Sequence, residues 1–291
     1  MSISISVGLF TLAPLSACVL ALLYVFVAKF LNYTLLPRIR AQQTIEQQHY
    51  SHKIDHRILS LDISNDAVSS LHALVCAACG LVGLYQTASD VLHAQFWPIE
   101  AYAWMWAGYA CYDLCSMFHV HWCKSSTKQS AANQDAPVKT VSTLAVVVRE
   151  LRAFACGRDW SVVLHHIVFL AVAIPLWLIL TKGGGHFFCA CLMADSLSNP
   201  FVNFRATLVK LQKRRTTVYR VNYLLMTVAY FLCKICLLPF MFLCYARTRR
   251  VSVFRTPFLL SYCCTTGSAL LFCTYFYWQE ITFQCANTRR K

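Results

Sequence analysis

The stretch DWSVVLHHIVFLAVAIPLWLIL, residues 159–180, decides the fold of this chain. Two adjacent histidines, His165 and His166, lie near the start of an otherwise apolar run. A helix needs about 20 predominantly apolar residues to cross a bilayer. The stretch therefore predicts a membrane-spanning helix that carries two ionisable rings near one end.

The composition agrees with a membrane protein. The chain has 291 residues, of which 58% are hydrophobic and 13% are charged, whereas a soluble domain has about 25% charged residues. The net charge of +14 would suggest nucleic acid binding in a soluble protein. Here the cations fall mostly in short gaps between apolar runs, where they indicate membrane topology and anionic lipid headgroups rather than nucleic acid. Most of the cysteines lie inside apolar runs, so we expect few or no disulfides.

Seven segments are apolar enough to span a membrane, which predicts an all-α, polytopic transmembrane helix bundle of six to seven spans. The segments are residues 7–30, 69–88, 101–122, 160–181, 186–204, 221–246 and 256–279. The predicted domains are an N-terminal transmembrane helix with a cytosolic linker at 1–59, a main membrane domain at 60–282 and a short basic cytosolic tail at 283–291.

The distribution of lysine and arginine predicts the orientation. Basic residues cluster in the gaps 31–68, 123–159 and 205–220, and the gap 89–100 has none. The positive-inside rule then places the N-terminus in the lumen and the C-terminus in the cytosol. The arginines of 247–255 disagree, because they would face the lumen. Three loop segments are also predicted: an interfacial helix at 39–68, a disordered stretch at 124–140 and a short interfacial helix at 141–151.

Ionisable residues inside a span are costly and mark candidate sites. With a helix rise of about 1.5 Å per residue, Asp113 and Asp195 share one depth, and His119 and His165 share another depth nearer the cytosol. We interpret this as a polar shaft that opens on the cytosolic side. Lys234 lies in the middle of the sixth predicted span, and we expect it to pair with a carboxylate.

The two neighbouring histidines point in different directions. Successive helical residues differ by about 100°, so only one ring of His165 and His166 can face the shaft. This spacing is poor for a shared metal ion, which favours residues four apart, and no metal site is predicted. The pair suits one general base and one supporting ring. Alternatively, both rings are core histidines that bond to backbone carbonyls.

Two further residues leave their roles open. Asp113 must be paired, protonated or hydrated at membrane depth, and Tyr109 and Tyr112 are candidate donors to it. Its role is either a hydrogen bond that joins two helices or a part in chemistry. Arg205, at the cytosolic end of the fifth predicted span, either extends to the membrane surface or contacts a phosphate.

Four motifs together resemble the TLC family, which includes the ceramide synthases and several small lipid-linked membrane proteins. The resemblance covers residues 60–282. The motifs are SLHAL (70–74), GYACYDL (108–114), LHHIV (164–168) and SNPFVNFR (198–205).

The resemblance implies an endomembrane protein, with the endoplasmic reticulum as the expected location, that acts on sphingolipids or acyl lipids. Ceramide synthases transfer an acyl group from acyl-CoA to the amine of a sphingoid base. Acyl-CoA is the implied co-substrate, and no other cofactor is implied. The implied catalytic residues are His165, His166, Asp195 and Asp113, and the implied substrate-binding residues are His119, Arg205 and Asn199.

The chain departs from the ceramide synthase pattern at one place. The His-Asp pair of that pattern falls on Cys191 and Leu192 here, although the next aspartate is kept as Asp195. The retained histidines favour an N-acyltransferase, and the missing pair favours a protein that binds lipid and regulates membrane composition without catalysis. A third possibility is an ion or proton transporter, because buried carboxylates and histidines also form proton relays.

Overall fold

The computed structural model of the protein describes residues 11–37, 56–132, 143–157, 160–180, 182, 184–250 and 252. Every regular element in these ranges is helical. The α-helices are α1 (Leu12–Phe30), α2 (His56–Thr87), α3 (Trp97–Ala132), α4 (Thr143–Ala155), α5 (Trp160–Val168), α6 (Ile174–Leu180), α7 (His186–Ala194), α8 (Asn199–Lys210), α9 (Thr217–Tyr230) and α10 (Leu237–Arg249). A 3-10 turn, Asp195–Ser198, connects α7 to α8.

Prolines explain where the helices widen. Three π-helical turns, Leu31–Leu35, Phe169–Ala173 and Phe231–Cys236, each end two or three residues before a proline. Proline has no N–H and clashes with the carbonyl four residues earlier. That carbonyl lies inside the π turn in all three cases, where hydrogen bonds skip one residue more than in an α-helix. These bonds run from Leu36 to Leu31, from Ile174 to Phe169 and from Leu237 to Leu232, ahead of Pro37, Pro175 and Pro239.

Other local signals set where helices begin. Pro14, Pro98 and Pro200 lie in the first turns of α1, α3 and α8, where a backbone N–H has no helical partner. The Thr216 side chain accepts a hydrogen bond from the Tyr219 N–H at 3.3 Å and so caps the start of α9. The six prolines in the described ranges are therefore all compatible with the helices that contain them.

Within the ranges that the structure describes, four helical segments are long and apolar enough to cross a membrane: Leu12–Thr34, His56–Thr87, Trp160–Ile179 and Thr217–Arg249. Their outward faces carry large apolar side chains such as Leu22, which is 72% exposed, and Leu224, which is 65% exposed. Extended apolar surface of this kind requires lipid or another apolar partner. The predicted all-α fold and its membrane-spanning character are confirmed.

The number of spans stays a prediction. Predicted span 101–122 lies within α3, and predicted span 186–204 is divided by the 3-10 turn Asp195–Ser198. Neither belongs to the four segments above. Predicted span 256–279 and the basic tail 283–291 lie outside the described residues.

One loop prediction is confirmed in part and another is wrong where the structure describes them. Residues 56–68, which belong to the predicted interfacial helix 39–68, are helical and form the first turns of α2, and their position at the interface stays a prediction. Residues 124–132, predicted to be disordered, continue α3. The physical reason is partly an ion pair: Lys124 on α3 contacts Asp62 on α2 at 2.8 Å, so polar side chains are matched across these extensions. The helix predicted at 141–151 is confirmed as α4, which runs from Thr143 to Ala155.

The described residues divide into two compact units. Unit 1 comprises Met1–His72, Glu100–Lys182 and Ala206–Gln212. Within unit 1, α1 and the π turn after it pack on α2 and α3 through two apolar clusters. One cluster contains Tyr24, Val68 and Tyr112, and the other contains Leu31, Leu36 and Ile63. These contacts place the start of α2 next to the middle of α3.

Unit 2 comprises Ala73–Ile99, Gly183–Arg205 and Lys213–Lys291. A close helix contact in unit 2 is that between α2 and α7, where a glycine allows two backbones to approach. A Cβ added to Gly80 would lie 2.4 Å from the Ala194 nitrogen and 2.7 Å from the Ala190 oxygen. Close approach through small residues is a common way to pack helices in a membrane, because lipid provides no hydrophobic driving force between them.

We expect Gly80→Ala to destabilise the protein, although alanine favours helix. The added methyl group would meet backbone atoms that cannot turn aside, and such overpacking costs about 1–3 kcal/mol. Gly83→Ala is the matched control, since its Cβ would meet only side-chain atoms, the flexible Ile99 Cδ1 at 3.0 Å and the Ala190 Cβ at 3.1 Å, and so needs a smaller adjustment. Thermal unfolding in detergent should show a midpoint several degrees lower for Gly80→Ala than for Gly83→Ala. Equal midpoints would contradict the close contact of α2 with α7.

Candidate functional site

The centre of the candidate site is a buried pair of His166 and Asp113 in unit 1. The His166 Nε2 atom lies 2.8 Å from the Asp113 Oδ2 atom, and the two side chains are 11% and 8% exposed. α5 provides the histidine and α3 provides the carboxylate. The pair gives each ionisable group a partner in a place where water is scarce.

Two side chains of α2 hold the other oxygen of Asp113. The Asn65 amide donates to Asp113 Oδ1 at 3.1 Å, and the Ser69 hydroxyl donates to the same atom at 3.3 Å. Hydrogen bonds to a charged acceptor are stronger than those between neutral groups. Asp113 thus receives donors from α2 on one oxygen and faces His166 with the other.

The orientation of Asn65 is itself determined by neighbours. The Tyr112 hydroxyl and the Ser116 hydroxyl both donate to Asn65 Oδ1, at 3.2 and 2.5 Å. Since a side-chain amide has one acceptor and one donor end, these two bonds leave its NH₂ group directed at Asp113.

The prediction that Tyr109 and Tyr112 donate directly to Asp113 is wrong. Tyr109 donates to Ser69 Oγ at 3.1 Å, and Tyr112 donates to Asn65. The long tyrosine side chains extend across to α2 instead of turning back along their own helix. Their hydroxyl groups therefore support Asp113 through one intermediate side chain.

An aromatic group lies one helical turn further along α2. The His72 ring stacks on Tyr109, with ring centres 3.7 Å apart and an interplanar angle of 5°. The Tyr102 hydroxyl lies 3.0 Å from both His72 Nε2 and the His72 carbonyl oxygen. Because a hydroxyl donates one proton, Tyr102 donates to the carbonyl and accepts from the ring. His72 therefore has a packing role next to Ser69.

The two adjacent histidines are placed differently. His166 is buried, whereas His165 is exposed and its ring stacks on Phe169 at 6.2 Å. This follows from the angle of about 100° between neighbouring helical positions. His166 therefore belongs to the polar network of unit 1, and His165 lies on the outer surface of α5.

The other predicted site residues are distributed over both units. His119 is exposed in unit 1, and its Nδ1 atom lies 3.3 Å from the hydroxyl of Tyr24. Asp195, Asn199 and Arg205 belong to unit 2, where Asn199 is exposed and Arg205 is buried. The single polar shaft predicted across all these residues stays a prediction.

Asp195 has its own partner in unit 2. Lys234 donates a hydrogen bond to the Asp195 carboxylate, so the prediction that Lys234 pairs with a carboxylate is confirmed. Both residues lie on irregular helical turns, Asp195 in the 3-10 turn and Lys234 in the third π turn. The carboxylate that contacts His166 is Asp113, and Asp195 contacts Lys234 instead.

A second polar cluster in unit 1 was missed by the sequence analysis. Lys210 on α8 contacts Asp62 at 2.8 Å and Asp66 at 2.7 Å, and Thr207 donates to Asp66 at 3.0 Å. Burial alone would lower the pKa of Lys210, but the two carboxylates outweigh it and raise this pKa above its ordinary value. A lysine with a raised pKa contributes its stabilisation fully below about pH 10. The cluster is therefore intact at physiological pH.

One sequence signal could have found these residues. One polar face of α2 carries five residues that are each three or four positions from another member of the set: Asp62, Asn65, Asp66, Ser69 and His72. Their partners on α3, from Tyr102 to Lys124, recur in the same way. Two such faces in a membrane protein indicate helices that bind each other through hydrogen bonds.

A comparison with known families identifies the family of the chain. A family model described as TLC domain matches residues 62–280, which is more than half of the chain. The chain belongs to the TLC-domain family. The matched region of the TLC domain begins at Asp62 in α2 and includes every residue of the His166–Asp113 network. No solved structure matches the chain.

The His166–Asp113 pair has the arrangement of an imidazole that is oriented by a carboxylate. Among the residues that the structure describes, no three His, Cys, Asp or Glu side chains are grouped closely enough to hold a metal ion. A carboxylate beside an imidazole can fix the orientation of the ring and stabilise its protonated form. With the Nε2 proton directed at Asp113, the lone pair of His166 is on Nδ1.

We expect His166→Ala to destabilise the protein much more than His165→Ala. Removing the imidazole leaves Asp113 buried beside an empty space, and loss of one partner from a buried pair costs about 3–5 kcal/mol. The exposed His165 should cost less than about 0.5 kcal/mol. Thermal unfolding of both variants in lipid nanodiscs measures the difference, and equal effects would show that Asp113 does not depend on His166.

We also expect Lys234→Met to be more destabilising than the double variant Lys234→Met/Asp195→Leu. The single variant leaves a carboxylate without its counter-ion at membrane depth, whereas the double variant replaces both charges by apolar groups of similar size. Unfolding midpoints of the two variants and of Asp195→Leu complete a double-mutant cycle. A cycle with no coupling energy would contradict the pair.

Proposed function

We propose that this TLC-domain protein acts in the endoplasmic reticulum as an acyl-CoA-dependent N-acyltransferase of a sphingoid-like amine, with His166 as the general base. The observation that carries the proposal is the buried contact of His166 Nε2 with Asp113 Oδ2 at 2.8 Å. N-acyl transfer needs a base with a fixed orientation and a group that stabilises its protonated form. The pair contains both.

The reaction is an exchange of a thioester for an amide. The amine nitrogen attacks the thioester carbonyl carbon, and His166 Nδ1 takes the proton from that nitrogen as the C–N bond forms. The C–S bond then breaks, and the proton returns from His166 to the departing sulfur, so that free CoA thiol leaves. Asp113 stabilises the imidazolium between these two steps, and Asn65 and Ser69 keep the Asp113 carboxylate in place.

The proposed topology places the acyl-CoA binding site on the cytosolic side of the membrane. We propose six or seven spans with the N-terminus in the lumen and the C-terminus in the cytosol, so that the basic segments 124–158 and 205–220 face the cytosol. Arginine and lysine side chains bind phosphate well, and these segments would contact the CoA phosphates. Lys124 and Lys210 contact Asp62, and Arg149 contacts Glu150, so these three cations are not assigned this role.

A second candidate function is lipid binding without chemistry, in which the protein regulates membrane composition. The observation that favours it is the pair Cys191–Leu192, which stands where the ceramide synthase pattern has His-Asp. Cys191 is buried and Leu192 is 43% exposed, and neither side chain is an efficient acid or base at neutral pH. In this case the His166–Asp113 pair only joins α3 to α5.

The test is acyl transfer from labelled acyl-CoA to a panel of long-chain amines by the purified full-length protein in nanodiscs. We expect His166→Ala and Asp113→Asn to lower the rate by about 10²-fold or more, the usual contribution of a general base. His165→Ala, the matched control on the outer surface of α5, should keep most of the rate. Asp195→Ala separates a catalytic role of unit 2 from that of the His166–Asp113 pair.

The outcomes distinguish the two functions. Activity that disappears in folded His166→Ala protein but persists in His165→Ala supports the enzyme. Activity that survives His166→Ala contradicts the proposed base. Absence of transfer in every sample, together with lipid that co-purifies and is identified by mass spectrometry, favours the second function. A pH-driven flux in liposomes would instead indicate a transporter.

A further inference from the structure

The side-chain amide of Asn65 has its two ends in different surroundings. Its NH₂ group donates to Asp113 Oδ1 at 3.1 Å, and its oxygen accepts from the hydroxyls of Tyr112 and Ser116 at 3.2 and 2.5 Å. Half a turn about the last side-chain bond would exchange the two ends of the amide without moving any other residue. The donors on the amide oxygen therefore decide which end of Asn65 meets Asp113.

The orientation of Asn65 determines which member of the His166–Asp113 pair can hold an added proton. A carboxylate has only acceptor atoms, so an N–H directed at Asp113 Oδ1 stabilises the anion. An amide oxygen in the same place would instead stabilise a protonated carboxyl, whose O–H could donate to it. With the N–H in place, an added proton resides on His166 Nδ1 while Asp113 stays charged.

Tyr112 is better suited than Ser116 to fix this orientation. The Ser116 hydroxyl has one proton and also lies 2.9 Å from the Asp113 carbonyl oxygen, so its donation is divided between two acceptors. The Tyr112 ring is buried and packs edge to face on Tyr24, with ring centres 6.1 Å apart. This packing holds the Tyr112 hydroxyl in a fixed position against Asn65.

We infer that Tyr112 is a positioning residue for the His166–Asp113 pair. It acts through Asn65, whose N–H it keeps directed at the carboxylate, so that the imidazole and not the carboxyl takes the proton. The effect on catalysis rests on the proposed function, because a base is needed only if acyl transfer occurs. The location of the proton, however, can be measured without any reaction.

The ionisable groups near Asp113 come from three helices. They are His166 from α5, His72 from α2, and Tyr109 and Tyr112 from α3. His72 is a second imidazole within this network, stacked on Tyr109. The measurement therefore has to distinguish His166 from His72, and comparison with the spectrum of His166→Ala does so by the loss of one set of ring signals.

The experiment is NMR of the full-length protein in nanodiscs, with ¹⁵N-labelled histidine and ¹³C-labelled aspartate, while the pH is lowered. In the unaltered protein the first proton should go to His166 Nδ1, and the Asp113 carboxyl signal should stay that of an anion. In Tyr112→Phe the ratio of imidazolium to protonated carboxyl should fall about fivefold, the factor that one neutral hydrogen bond contributes to an equilibrium. The substitution removes one oxygen atom and keeps the ring that packs on Tyr24.

Tyr102→Phe is the matched control. Tyr102 is also a buried tyrosine of α3, but its hydroxyl donates to the His72 carbonyl rather than to Asn65. The same loss of a hydroxyl there should leave the ratio unchanged. Unchanged thermal unfolding verifies that both variants are folded.

Asn65→Leu tests whether Tyr112 acts through the amide. Adding Tyr112→Phe to Asn65→Leu should cause no further change in the ratio, because the hydroxyl then has no amide to orient. If Asn65→Leu does not fold, the comparison of Tyr112→Phe with Tyr102→Phe decides the inference by itself.

Acyl transfer gives a second readout. Tyr112→Phe should lower kcat about fivefold, in proportion to the NMR ratio, and leave the KM for acyl-CoA unchanged. A residue that positions the base acts on the chemical step rather than on uniform binding of the substrate. A raised KM with an unchanged kcat would contradict the positioning role.

Three NMR results would overturn the inference: an unchanged ratio in Tyr112→Phe, an equal change in Tyr102→Phe, or a further change when Tyr112→Phe is added to Asn65→Leu. If the unaltered protein transfers no acyl group, the proposed enzyme fails, and the NMR ratio still decides the role of Tyr112. If transfer occurs and Tyr112→Phe alters neither the ratio nor kcat, this inference fails while the enzyme stands.

Discussion

Asp113 is a carboxylate inside a bundle whose outer faces are apolar, and unit 1 is arranged around the need to satisfy it. An isolated charge at membrane depth is costly, by several kcal/mol even on the lower scales. Asn65, Ser69 and His166 each direct a polar atom at Asp113. These three residues come from α2 and α5, and Asp113 lies on α3. The polar contacts of this one carboxylate therefore join three helices.

Polar side chains are paired with one another along the whole contact of α2 with α3. From His72 towards Asp62 on α2, the partners on α3 run from Tyr102 to Lys124, as expected for antiparallel helices. Lys210 then joins α8 to the Asp62 end. In lipid, hydrogen bonds between helices contribute to helix association, which the hydrophobic effect drives in water. Unit 1 therefore has a continuous polar face in its interior and apolar faces outside.

The sequence was sufficient for the all-helical fold, the membrane spans that the structure supports, the TLC family and the pairing of Lys234. It also predicted that one of the two adjacent histidines would face inward. These results depend on hydropathy, on helical periodicity and on the high cost of a buried charge, which all act locally along the chain. The residues that the structure adds depend on contacts between distant segments.

Three such contacts could not be read from single positions. His166 contacts Asp113 rather than Asp195, and the choice between two buried carboxylates depends on how α3 and α5 pack. Asn65 and Ser69 are uncharged, so they do not stand out in a search for costly groups. Asp62 lay outside the predicted second span because a hydropathy window discounts polar residues that are paired with another helix.

The proline-linked π turns have a consequence for how these helices present their surfaces. Each π turn inserts one residue into the helical repeat, which rotates everything beyond it by about 100°. A helical wheel drawn through Pro175 or Pro239 therefore assigns the wrong side chains to the lipid face on one side of the turn. Cysteine accessibility scanning along Thr217–Arg249 would show labelling that repeats with the helical period on both sides of Phe231–Cys236. The two repeats would be out of phase, with the shift at Phe231–Cys236. Lys234 lies at that break, so its charge is at the position where the face of the helix changes.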